Sequence, residues 1–171
     1  MTNTVLTFGL LSGAVVAVMM FLTVPFADRI GFDRSVIVGY TTIVISMLFV
    51  YFGVRSYRDN VLGGRMTFGR AFQAGLLIAA ISSLCYVVAW LVLFYGFIPD
   101  FADKYAAYTV ESVRASGGSQ AEVDAAIRQA DEAKRMLANP LINAAVAFIE
   151  PFPVGLLVAL ISAAVLKRTS P

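Results

Sequence analysis

The chain has 171 residues, 59% of them hydrophobic and 14% charged, with a mean hydropathy of +0.80. Soluble domains are about half apolar and about a quarter charged, so this composition excludes an ordinary soluble domain and points to one integral membrane domain spanning residues 1–171. A net charge of +2 gives no footprint for nucleic acid, and a chain with no histidine and one cysteine lacks the usual zinc, haem, iron–sulfur and histidine-triad sets. No cofactor, metal or catalytic residue is therefore assigned.

Four apolar segments, residues 5–26, 36–54, 72–95 and 141–166, each offer the roughly 20 residues a helix needs to cross a bilayer. The first is preceded by MTNT, without Lys or Arg, and followed by ADR, which makes no convincing cleavage site, so it is expected to stay as a helix. It carries Gly9, Gly13 and Ala17, a small residue every fourth position, and the last segment repeats the device at Gly155, Ala159 and Ala163. In lipid such stripes let backbones approach closely. The two stripes are expected to pair with each other within one chain, or one of them to make a homodimer.

Between the second and third segments lies RSYRDNVLGGRMTFGRAF, residues 55–72. Gly63 and Gly64 make a turn, Thr67 is placed to cap the next helix, and Asp59 has several arginines within reach. The glycine pair is not a phosphate loop, because the Lys-Ser/Thr and the preceding strand are missing. Arg55, Arg58, Arg65 and Arg70 read as a solvated positive loop, and also as candidate contacts for anionic lipid headgroups. With Lys167 and Arg168 in the tail, they outweigh the first loop, where Arg29 and Arg34 are balanced by Asp28 and Asp33. The positive-inside rule then puts both termini in the cytoplasm. Tyr51 and Tyr57 fit the inner interface and Tyr86, Trp90 and Tyr95 the outer one, packing between helices being the alternative. Cys85, in an apolar run, reads as a small hydrophobe.

The third connection, residues 99–139, is too polar for a membrane span. Ser116-Gly-Gly118 is a break, and Ser119-Gln-Ala-Glu122 is a capping box. Val123, Ile127, Ala130 and Leu137 then recur at helical spacing, with Lys134 and Arg135 at the end that the helix dipole favours for cations. Upstream, Phe101, Tyr105 and Tyr108 share a helix face. These signals predict a helical hairpin outside the membrane, docked by a narrow apolar stripe. Asn139 is suited to cap the last helix, with Pro140 at its first position.

Several short motifs run through this chain: YRD at Tyr57 to Asp59, Gly64, TFGRAF at Thr67 to Phe72, IPDF at Ile98 to Phe101, and LISAAVLKR at the end of the last helix. In these the sequence resembles a bacterial membrane family, domain of unknown function 4199, over nearly its whole length. The resemblance implies a small four-helix membrane protein with no established activity and no catalytic residues to carry over.

The last segment contains AFIEPFPVGLL, residues 147–157, with a carboxylate and two prolines. Counting from Lys167 at about 1.5 Å per residue puts Glu150 roughly 25 Å above the cytoplasmic boundary, in the outer part of a core about 30 Å thick. Pro151 and Pro153 each remove a helix donor and push the preceding residue out of helical geometry. The helix is expected to break there and restart near Pro153, with Glu150 at the positive end of the inner half-helix. Tyr40, Thr41, Tyr86 and Thr23 fall at similar depth as hydrogen-bond partners. An intramembrane carboxylate is also a candidate polar site for protons or ions.

The expected fold is an all-α integral membrane protein with four crossings and an extracytoplasmic helical hairpin between helices 3 and 4. The expected role is a structural or accessory, partner-binding subunit of the bacterial inner membrane, without catalysis. The alternative is a small oligomeric transporter or channel component that uses Glu150. Lipid, a second copy and a membrane protein are the expected partners.

Overall fold

The computed structural model describes residues 1–168. Helix α1 runs Thr2–Thr23, a short α2 Ala27–Ile30, α3 Phe32–Ser56, α4 Phe68–Val92, α5 Phe101–Ala115, α6 Gln120–Ala138, α7 Pro140–Ile149 and α8 Phe152–Leu166. Among the described residues, four helical stretches are long and apolar enough to cross a membrane: Thr2–Phe26, Phe32–Val61, Phe68–Phe97 and Pro140–Leu166. The second and third run several residues beyond the expected segments. At their C-terminal ends each opens into a wider turn, with Leu62 N–H donating to Tyr57 O at 3.2 Å and Ile98 N–H to Leu93 O at 2.9 Å. Such five-residue turns keep the backbone bonded while carrying helix into polar sequence.

The caps follow the sequence signals. Thr67 Oγ1 accepts from Arg70 N–H, Ser119 and Glu122 form the reciprocal box, and Asn139 Oδ1 accepts from Leu141 and Ile142 N–H with Pro140 at the first position. These bonds use donors that a helix start otherwise leaves unpaired.

Helix α4 is the centre of the bundle, with α1, α3, α7 and α8 all packed on it. The two small-residue stripes both serve this helix. A Cβ at Gly9 would lie 2.8 Å from Ile81 Cβ, and one at Gly13 would collide with Cys85. On the opposite side a Cβ at Gly155 would lie 2.7 Å from Ala79 Cβ, while one at Gly75 would lie 2.9 Å from Ala159 Cβ. The stripes therefore do not pair with each other, and neither is left over for a second copy. The α8 stripe meets small residues of α4, Gly75 and Ala79, whereas the α1 stripe makes room for Ile81 and Cys85.

Polar side chains stitch the bundle where the backbones are closest. Ser12, fully buried on α1, donates to Ser46 O of α3 at 2.8 Å, and its oxygen lies 2.8 Å from Ser82 Oγ of α4. One hydroxyl thus joins three helices. At one end of the spans, Met66 and Arg168 exchange backbone hydrogen bonds of 3.0 and 2.9 Å, which ties the end of α8 to the turn before α4.

Helices α5 and α6 lie beside each other, with Lys134 Nζ 2.5 Å from Asp103 Oδ1. That carboxylate raises the Lys134 pKa above its ordinary value. The aromatic face of α5 meets the spans: Phe32 of α3 packs on Phe101, Tyr105 and Tyr108, with ring centroids 6.1, 5.8 and 4.9 Å apart. Trp90 and Phe94, from α4 and the turn after it, pack on Phe101 at 5.3 and 6.4 Å.

Candidate functional site

The break in the last span is local chemistry. Pro151 has no N–H to offer the carbonyl of Ala147, nor Pro153 that of Ile149, so α7 stops at Ile149 and α8 begins at Phe152. Contrary to the expectation, Glu150 is not pushed out of helical geometry: its φ of −66° and ψ of −56° are helical, and the interruption is one of lost donors. Glu150 sits at the break, half-buried, with Pro151 buried beside it. Tyr86 of α4 donates its hydroxyl to Glu150 Oε2 at 2.5 Å. Oε1 has no hydrogen-bond partner among the described residues. Of the four partners expected from depth, Tyr86 is the one that bonds. Thr23 donates instead to Met19 O of its own helix at 2.8 Å, and Thr41 is exposed. Tyr40, half exposed, makes no bond to the carboxylate but shares a cavity wall with it. The bond to Tyr86, rather than to the first amides of α8, is what holds the carboxylate.

A second polar pair lies seven residues earlier, two helical turns away on the same face. Asn143, fully buried in α7, accepts from Trp90 Nε1 at 2.7 Å and donates to Leu137 O at 3.2 Å. Tyr95, in the turn after α4, also donates to Leu137 O, at 3.2 Å. Sequence reasoning passed over Asn143. The signal was available, since an asparagine inside PLINAAVAFIE shares a helix face with Glu150, and an amide in apolar surroundings needs partners. The three aromatic residues expected at a headgroup boundary, Tyr86, Trp90 and Tyr95, all act as hydrogen-bond donors between helices, and Tyr57 is buried in packing.

Beside Glu150 the fold leaves a cavity of about 590 Å³ between the N-terminal half of α3, the C-terminal part of α4, α5 and α7. Its walls include Tyr40, Tyr86, Trp90, Phe101, Tyr105 and Glu150. It arises because the proline break separates two packing regimes: α8 lies on both α3 and α4, whereas α7 lies mainly on α4. Among the described residues, no lysine or arginine lines it.

The four arginines of the α3–α4 connection divide. Arg55, Arg65 and Arg70 are exposed, while the Arg58 side chain is only 12% exposed. It donates from Nε and Nη2 to the two oxygens of Asp59, at 2.6 and 3.1 Å, and from Nη1 to Leu166 O at 3.5 Å. Arg58 thus reaches the last carbonyls of α8, where a cation is favoured by the helix dipole.

Fold and site together define an all-helical, multi-pass membrane protein with four candidate spanning helices and one carboxylate at a proline break. Residues 7–168 match the family described as protein of unknown function (DUF4199), and the chain belongs to that family. Comparison with curated proteins and with solved structures gives no significant match.

Proposed function

We propose that this chain is a non-catalytic accessory subunit of a bacterial inner membrane that works by binding a partner membrane protein. The observation that carries this reading is how the polar groups within the spans are used. Ser12 with Ser46 and Ser82, Asn143 with Trp90, and Glu150 with Tyr86 are bonded between helices of the same chain. Groups committed in this way hold a scaffold together. Both termini face the cytoplasm, and α5 and α6 form a hairpin on the opposite side, docked through the ring cluster around Phe32 and Phe101. The exposed Arg55, Arg65 and Arg70 support this orientation, lying where they meet anionic headgroups of the inner leaflet.

The test is the mass of the particle extracted from native membranes in polymer-bounded lipid discs. The accessory reading expects this chain with a different chain at fixed stoichiometry. The cavity beside Glu150 favours a second reading, a small oligomeric transporter using that carboxylate, for which the result is a closed homo-oligomer with no other chain.

A further inference from the structure

We propose that the cavity beside Glu150 is a binding site for a lipophilic monovalent cation: an ammonium group with an apolar tail, protonated or quaternary. The proposal stands on the cavity alone and holds under either functional reading. A volume of about 590 Å³ falls in the range that encloses a small organic molecule, and the wall has the usual make-up of such sites, mostly apolar with a few placed polar atoms.

The wall chemistry selects the charge. Trp90, Phe101, Tyr105 and Phe32 form one continuous aromatic surface, with centroid separations of 5.3 Å for Trp90–Phe101, 6.0 Å for Phe101–Tyr105 and 5.8 Å for Phe32–Tyr105. Ring faces attract cations and repel anions. Glu150 adds a carboxylate on the same wall, with one oxygen held by Tyr86 and the other unpartnered among the described residues. With no lysine or arginine among the described residues that line the space, no cation there would recognise a phosphate or carboxylate.

The tail is accommodated on the lipid side. Val36 and Tyr40 on α3, and Val146 and Ile149 on α7, rim the same cavity and are 48, 50, 47 and 66% exposed. They are apolar or amphipathic side chains exposed on two candidate spans. An amphiphile therefore reaches the site sideways from the membrane, head toward Glu150 and tail between α3 and α7.

Trp90 is the only tryptophan in the chain and lies in the cavity wall, so its fluorescence reports the site without a label. The probe is an alkyltrimethylammonium with a terminal bromine, titrated into the full chain in maltoside micelles. Its control is the alcohol of the same bromoalkyl chain. The expected result is saturable quenching by the cation at concentrations where the alcohol quenches only in proportion to its partitioning. Glu150→Gln should weaken the cation roughly tenfold or more and leave the alcohol unchanged. Gly39→Leu supplies a second variant if Glu150→Gln does not fold. Gly39 lines the cavity, and a Cβ there meets nothing within 4 Å, so leucine fills the space with the carboxylate intact and should abolish saturable quenching.

Equal quenching by cation and alcohol, or unaltered cation affinity in both variants, would overturn the proposal. Repeating the titration in discs with phosphatidylethanolamine against phosphatidylglycerol identifies the source. Competition by the aminolipid makes a bilayer lipid's ammonium the occupant; no competition makes it a free amphiphile.

Discussion

Adding one methyl group at Gly155 tests the packing of the bundle. In Gly155→Ala the new carbon would stand 2.7 Å from Ala79 Cβ and 3.0 Å from Met47 Sδ. The methionine end can swing aside, but Ala79 Cβ is fixed to the backbone of α4. Carbon atoms rest at about 3.5–4.0 Å, so α8 must move off α4 by roughly 1 Å. Gly75 and Ala159, one turn along the same contact, lie in the path of that movement and lose their close approach as well. Overpacking of this kind costs about 1–3 kcal/mol, and in lipid no hydrophobic force between helices offsets it. The matched control is Gly39→Ala, in the N-terminal half of α3, where nothing lies within 4 Å of the added carbon. Thermal unfolding in one detergent, followed by circular dichroism, should put Gly155→Ala below wild type by about 2–4 °C per kcal/mol lost, with Gly39→Ala at or above wild type because alanine is the better helix former. If the two variants melt together, the close approach of α8 to α4 does not contribute as argued.

Three further outcomes are expected. With Cys85 replaced by alanine, a cysteine at Ser112 on α5 should react with an impermeant thiol reagent from outside the cell and one at Arg65 should not, and the reverse pattern would invert the proposed orientation. Hydrogen bonds from the Ser119 backbone N–H and hydroxyl hold the Glu122 pKa below its ordinary 4.5. A depressed folded value means that the contribution is present above the unfolded pKa and is lost as pH falls through the folded one. Amide protection in the first turn of α6 should accordingly drop below about pH 4.5 in wild type and be insensitive to pH in Glu122→Gln. Phe32→Ala removes the ring on which Phe101, Tyr105 and Tyr108 converge, and should speed amide exchange in α5 more than in α8.

What was legible in the sequence is what local chemistry decides. The caps at Thr67, Ser119 and Asn139, the turn at Gly63 and Gly64, and the position of the helix break at Pro151 each depend on a few adjacent residues and are where the residue types put them, although Glu150 keeps the helical angles that the proline was expected to remove. Which helix meets which was not legible. In a soluble helix the polar face marks the outside, but a span surrounded by lipid is apolar all round, so α1 and α8 carry no pattern that names α4 as their common neighbour. The stripes at Gly9, Gly13, Gly155 and Ala159 announced close packing without naming the partner. Depth counting brought Tyr86 into the set of partners for Glu150, because rise per residue is fixed, but the choice among four depended on helix rotation. Asn143 lay two turns from Glu150 and was hidden by attention to charge alone. Arg58 could not be told from its exposed neighbours, since its partner carbonyl at Leu166 is more than a hundred residues away.

Glu150 holds the fold as an acceptor of the Tyr86 hydroxyl at a proline break, and the melting temperatures of two single variants test this. Glu150→Gln keeps a carbonyl oxygen for that hydroxyl and removes a charge that is costly near hydrocarbon, so it should melt within a degree or two of wild type. Pro151→Ala restores a backbone donor, draws α7 and α8 toward one continuous helix and pulls Glu150 from Tyr86, so it should melt well below both. A glutamine variant that unfolds more readily than the alanine variant would refute that role, because the charge itself would then be what the fold requires.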